Sequence, residues 1–288
     1  MDSALNEDGA GVASVAGARD IVLVASGKGG VGKSTVAVNL AVALARGGAR
    51  TGIVDLDLAG PSVARLTGTD EVPELRDDGL AMPVERHGLS VVSLSAMIPP
   101  EQALVWKGPL VAQAVTQLFR EVAWPDLDIL VVDLPPGTGD VLLSVVEQMP
   151  VAGAVVVTTP ERMASIDAER AVALFHEHDI PVFGIVRNMA EIICPCCGEA
   201  QPLFEPAAAV DVARRMHVAD LGAIPADLGA SRQAARGIPI MAAAPDGVTG
   251  QAFAALAQAV IAAVGRERVA AQNQRHGERS IWEMINGN

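Results

Sequence analysis

The sequence predicts an α/β fold, a doubly wound and mostly parallel sheet flanked by helices. Three observations predict it: short apolar runs rich in Val and Ile recur along the chain, helical patterns lie between them, and turn residues bound each run. The runs are IVLVAS (21–26), TGIVD (51–55), LSVVSL (89–94), DILVVD (128–133), GAVVVTT (153–159) and PVFGIV (181–186), with a weaker ADLGAIP at 219–225. They are continuous rather than alternating, as strands buried on both faces of a parallel sheet are. The first helical stretch, 33–46, is closed by Gly47-Gly48, a C-cap pattern. Two more follow at 109–122 and 140–149, the second with Asp140 as N-cap, and Ser165 is placed to cap a helix over 166–178. At 251–264, Phe253, Leu256, Val260, Ile261 and Val264 fall on one stripe, the pattern of a helix that faces a core. Right-handed crossovers between such units wind the sheet.

Internal repeats and low-complexity tracts are missing, so residues 21–265 read as one domain. A flexible arm at 1–20 precedes it, a cysteine loop at 190–205 sits within it, and a polar tail at 266–288 follows. Residues 66–88 and 188–206 read as irregular insertions. Among the 288 residues, 21 Lys and Arg face 34 Asp and Glu, a net charge of −13. That balance argues against nucleic acid or an anionic membrane as a partner. The scarcity of aromatics, with five Phe, three Trp and no Tyr, argues against base stacking. A hydrophobic half excludes a disordered class. No uninterrupted apolar run reaches the ~18 residues of a membrane span. The first twenty residues carry early acids and no basic segment, unlike a secretory signal. Three cysteines clustered at 194, 196 and 197 make no disulfide framework, so the cytoplasm is the expected compartment.

The strongest motif is Gly27-Lys28-Gly29-Gly30-Val31-Gly32-Lys33-Ser34-Thr35, which follows a predicted strand and opens a predicted helix. That context makes it a phosphate loop. Glycines let successive backbone N–H groups converge on phosphate oxygens, and the helix N-terminus adds its positive end. Lys33 then neutralises the β- and γ-phosphates while the Ser34 hydroxyl ligates Mg²⁺. Lys28, one residue after the first glycine, is not needed by its own nucleotide but could reach the phosphates of a facing subunit. Asp55 and Asp57 close the second strand at the sheet edge where ligands bind. Asp133 ends the run ILVVD and is followed by Leu134-Pro135-Pro136-Gly137-Thr138-Gly139-Asp140, a switch-like loop.

A second signal is Cys194-Pro195-Cys196-Cys197-Gly198. Cys194 and Cys197 have the C-x-x-C spacing with which two thiolates grip one metal or one cluster edge. One pair is half of a four-thiolate site, which a symmetric dimer would complete. The residues alone leave the metal open between zinc and iron–sulfur. A redox dithiol is disfavoured, because no thioredoxin-like unit surrounds the pair. Cys196 acquires no role from spacing.

The phosphate loop with its extra lysine resembles the deviant Walker A ATPases, the P-loop NTPases that include MinD and ParA. Together with the cysteine pair, the chain is similar to the Mrp/ApbC group of ATP-binding iron–sulfur cluster carriers. The resemblance rests on 26–41, Asp55 to Ser62, Trp106-Lys107-Gly108-Pro109, 133–140, Val157-Thr158-Thr159-Pro160 and Gly184 to Met189. It implies a nucleotide-sandwich homodimer in which Lys28 acts across the interface. It also implies that Asp57 positions the attacking water, that Asp55 lies near the magnesium shell, and that Asp133 holds Mg²⁺ through water. Asn188 would contact adenine. A bridging [4Fe–4S] cluster would be taken from a donor, held by Cys194 and Cys197 of both subunits, and passed to apo-proteins, with slow ATP hydrolysis. The chain departs from the group at Glu161, where Gln is usual, at Arg187, at 203–207 and near Gly237. Two other readings use the same residues: a positioning ATPase like MinD or ParA, and a zinc-stapled targeting ATPase like the arsenite-pump relatives.

Overall fold

The computed structural model describes residues 17–57, 60–69, 71, 73–94, 108–137, 142, 145, 149, 151–194, 196–204 and 207–286. At 108–112, 116–117, 207–210 and 274–286 it describes the backbone alone. The first 16 residues of the expected arm, Trp106, Lys107, Asp140 and most of the helix expected at 140–149 lie outside the described residues. Within that stretch Leu142 and Val145 are helical and buried.

Nine described strands form one sheet. They are β1 (Ala18–Ala25), β2 (Thr51–Asp55), β3 (Val84–Arg86), β4 (Leu89–Ser93), β5 (Leu127–Asp133), β6 (Val151–Thr158), β7 (Val182–Ile193), β8 (Ala200–Pro202) and β9 (Asp220–Ala226). The order is β3-β4-β2-β5-β1-β6-β7-β8, with β9 also paired to β7. Among the described strands, only the β3–β4 and β7–β8 pairs are antiparallel. The seven apolar runs all became strands of the parallel body. The two antiparallel strands arise instead inside the stretches expected to be irregular. Both are short and largely exposed, so neither carries the apolar run that marks a buried strand.

Side-chain alternation feeds two cores. Ile21 and Leu23 of β1 face one, Val22 and Val24 the other, because successive residues point to opposite faces. The first core is covered by α3 (Gly108–Glu121), α4 (Arg162–Glu177) and α5 (Ala207–Arg215) through residues such as Leu118, Phe175 and Val212. The second is covered by α1 (Lys33–Arg46), α7 (Ile240–Ala243) and α8 (Val248–Asn286) through Leu40, Met241, Phe253 and Val260. Two short helices, α2 (Val63–Thr67) and α6 (Leu228–Ala234), complete the set. Burying each large side chain is worth about 1.5–3 kcal/mol. Asn39 ties α1 to α7 within the second layer, accepting at Oδ1 from the Met241 N–H.

Three expectations are corrected. Ile261 is 47% exposed; Ala257 and Ala263 fill its place on the α8 stripe. Helix α4 begins at Arg162 with Glu161 as N-cap, and Ser165 lies inside it, its hydroxyl donating to the Glu161 carbonyl at 3.0 Å. The polar segment after residue 264 continues α8 to Asn286. Arg268 pins that extension by pairing with Asp20 of β1, Nε donating to Oδ1 at 3.0 Å. Helix α8 meets the length and composition of a membrane span over Val248–Asn273, yet Phe253, Leu256, Val260 and Val264 on it are buried in the second core.

Candidate nucleotide and thiolate site

Strand β1 lies centrally, between β5 and β6, so the turn that follows it opens at the point where the strand order reverses. Open α/β sheets bind ligands at that place. The turn is residues 26–32. It leads into α1, whose N-cap Gly32 has φ 81° and whose first amides receive no side-chain cap. Those amides are the donors a phosphate needs. Two glycines are fixed by close approach. A Cβ on Gly27 would lie 2.0 Å from the Asp167 carbonyl oxygen in α4, and one on Gly32 would lie 2.2 Å from Asn188 Nδ2.

The neighbouring elements hold the loop from several sides. Gly137, in the loop after β5, donates its N–H to the Ser26 carbonyl at 2.9 Å. Asn188 of β7 donates from Nδ2 to the Val31 carbonyl, also at 2.9 Å and buried. Lys28 Nζ donates to Glu161 Oε2 at 2.8 Å, an exposed ion pair at the head of α4. Glu161 is therefore a site residue that sequence reasoning registered as a departure and left without a role.

Two of the acidic residues end neighbouring strands. Asp55 and Asp133 are paired in register on β2 and β5. Asp133 is fully buried and its Oδ1 accepts from Lys33 Nζ at 2.5 Å, while its Oδ2 has no hydrogen-bond partner. Burial pushes the Asp133 carboxyl up to about 6; Asp55 adds to the rise and the Lys33 ammonium opposes it. Burial also raises Asp55, against three backbone donors. Its Oδ1 accepts from Asp57 N–H at 2.9 Å, and its Oδ2 from Ser62 N–H at 2.9 Å and Val63 N–H at 3.0 Å. Asp55 thus shapes the loop between β2 and α2. Asp57 in turn accepts from Gly60 N–H at 3.0 Å.

The cysteines lie at the end of β7, which runs beyond the expected 181–186 to Ile193. Its later residues pair with β8, making a hairpin whose tip is Cys194 to Glu199. The Cys194 N–H donates to the Glu199 carbonyl and the Gly198 N–H to the Cys194 carbonyl, both at 2.9 Å. The backbone N–H groups of Cys197 and Cys196 hold the Cys194 thiol below its usual range. All three cysteines are free, with Cys196 and Cys197 exposed. Among the described residues, no three His, Cys, Asp or Glu converge as a metal site.

This fold and loop define a P-loop NTPase. A solved nucleotide-binding protein from Archaeoglobus fulgidus, in complex with ADP, superposes with a TM-score of 0.67 at 36% identity, over 77% of this chain and 87% of that one. The cell division ATPase MinD of Pyrococcus furiosus shares the fold, with a TM-score of 0.65 at 23% identity, over 84% of this chain and 98% of its own. Residues 17–261 match the ParA family model described as NUBPL iron-transfer P-loop NTPase, and the chain belongs to that family. A Pseudomonas fragi protein named iron-sulfur cluster carrier protein is 45% identical over 237 residues, 82% of this chain and 83% of its own length.

Proposed function

We propose that this chain is a homodimeric, nucleotide-switched carrier of a [4Fe–4S] cluster, with weak ATP hydrolysis coupled to carriage. The observation that carries the reading is an asymmetry of completeness. One chain holds a whole phosphate cradle, whereas its cysteine hairpin offers two correctly spaced thiolates of the four a cluster needs. A two-fold axis that brings two hairpins together supplies the rest. Ile192, Leu203 and Phe204, each about two-fifths exposed beside the hairpin, give that contact an apolar border.

The residues fit Mg²⁺ and ATP. The buried Asp133 Oδ2 without a partner is the acceptor that a magnesium-bound water would satisfy, beside the Ser34 hydroxyl. Bound Mg²⁺ neutralises charge on the β- and γ-phosphates. Lys33, which donates to Asp133 Oδ1 at 2.5 Å, would be the cation that neutralises those phosphates, with Asp133 left to hold the magnesium-bound water. The uncapped amides at the start of α1 and the loop glycines orient the phosphate chain, and Asp57 holds the attacking water. Asn188 commits Nδ2 to Val31 and keeps Oδ1 as acceptor for the adenine amino group. Lys28 leaves Glu161 to reach the phosphates of the second subunit. Cargo reaches the thiolates from a donor and leaves for apo-proteins in a reducing compartment such as the cytoplasm, where free thiols persist.

Transfer tests this reading. Dimer reconstituted anaerobically is mixed with an apo-enzyme that requires a [4Fe–4S] cluster. Restored activity, lost with Cys197→Ala carrier, is the expected result; free iron and sulfide restoring activity equally well would sink it.

A further inference from the structure

We propose that Asn188 and the kinked residue after it make β7 a mechanical link between the phosphate loop and the cysteine hairpin, so that nucleotide alters the hairpin within a single chain. The inference rests on the nucleotide reading above and deepens it by naming the route between the two sites.

The first contact on that route is the buried hydrogen bond from Asn188 Nδ2 to the Val31 carbonyl. Gly32 lets this amide come so near that any Cβ there would collide with it. One residue further, Met189 has φ 52°, left-handed backbone that a non-glycine residue adopts only where its surroundings impose it. The pairing of β7 with β9 slips register between Asn188 and Ile192, at that same kink. Beyond it the chain is stiff again. Glu191–Ile193 pairs with Ala200–Pro202, the Leu203 N–H donates to the Ala190 carbonyl at 3.1 Å, and the Cys194 and Gly198 amides close the tip.

The strand therefore consists of two hydrogen-bonded arms joined at one left-handed residue. One arm is fastened to the loop that phosphate would grip, and the other carries Cys194 at its end. Phosphate draws the loop amides toward itself, which changes the position and freedom of the Val31 carbonyl. Asn188 registers that change through its hydrogen bond, Met189 is the pivot, and the hairpin moves as a unit. Coupling of this kind is reciprocal, so metal on the thiolates alters nucleotide affinity by the same factor.

Hydrogen exchange of the reduced, metal-free full chain tests the link, read by mass spectrometry with and without saturating Mg·ADP. ADP is the probe because it lacks the γ-phosphate that a facing Lys28 would grip. In the wild type, ADP is expected to slow exchange in the loop peptide 27–35 and to change it about fivefold or more in the hairpin peptide 190–203. Met189→Gly, which frees the pivot, keeps loop protection while the hairpin change falls below about twofold. Asn188→Ala, at ADP concentrations that fully protect its loop, likewise loses the hairpin change. A protected loop with an unchanged wild-type hairpin overturns the link, as do wild-type responses in both variants. If Asn188→Ala does not fold, the wild-type and Met189→Gly results decide. An unprotected loop in the wild type overturns the nucleotide reading itself, and the link with it.

Discussion

The phosphate loop and the cysteine hairpin are both turns that leave the ends of sheet strands, yet they are held in opposite ways. The loop is fixed by partners from three other elements: Gly137 after β5, Glu161 at the head of α4 and Asn188 on β7. Its charged pair, Lys33 and Asp133, is buried. The hairpin tip closes its described hydrogen bonds on itself and exposes Cys196 and Cys197. Pre-organisation lowers the cost of binding, so the loop can act in one chain. A two-thiolate tip cannot close a four-thiolate site, so in the proposed function it acts through a second copy. The difference divides the proposed function into a step that one chain could perform and a step that would need two.

Lys33→Ala should break the loop side with the largest effect. It removes phosphate neutralisation and leaves Asp133 buried without its cation, which costs about 3–5 kcal/mol of stability. Nucleotide affinity should fall about 100-fold or more by titration calorimetry, the scale of losing a central charge contact. Thermal melts of the ligand-free protein should show the separate stability loss. Unchanged ATP turnover would remove the loop from its assigned role.

Breaking the hairpin side should leave the loop alone. Cys194→Ala or Cys197→Ala should lose metal as read by absorbance and metal analysis, with ADP affinity within about twofold of the metal-free wild type, because neither thiol touches the loop. Cys196→Ala should be nearly silent. An essential Cys196 would mean that the ligand pairing is mistaken.

Lys28 belongs to the loop but is proposed to serve the dimer. Lys28→Ala should still bind nucleotide as a monomer, while hydrolysis falls about 10³-fold or more, the low end of what a trans-acting cation contributes. ATP-dependent dimerisation, measured by light scattering, should weaken with it. Turnover at the wild-type level would exclude a role across the interface.

The smallest effect belongs to Glu161→Gln. Its ion pair with Lys28 is partly exposed, so the stability change should stay within about 1 kcal/mol. By the same energy, ATP-dependent dimerisation should tighten by up to about fivefold, because Lys28 no longer leaves a partner behind. Weaker dimerisation would show that Glu161 supports the interface instead.

Contiguity decided what could be read from the residues alone. The phosphate loop is nine consecutive residues between a strand and a helix, and the C-x-x-C pair spans four, so their chemistry is local. The contacts that hold the loop join residues far apart, Asn188 with Val31 and Lys28 with Glu161, and no periodicity signals such pairs. The apolar run of β7 stops at Val186 because Arg187, Asn188 and Glu191 interrupt it, although two of these polar groups have structural work: Arg187 pairs with Asp220 and Asn188 holds the loop. The exposed strand β8 has no pattern of its own and exists as the returning arm of the hairpin. The C-terminal extension of α8 was hidden by its polarity; Arg268 anchors it through Asp20, on a strand at the other end of the chain.

A cluster bridged by two half-sites is measured as iron and acid-labile sulfide per dimer after anaerobic reconstitution, with zinc counted in the same sample. About four irons and about four sulfides per dimer are expected, both lost in Cys194→Ala and Cys197→Ala. One tightly held zinc without sulfide would contradict a bridging cluster and make the hairpins a structural staple between subunits.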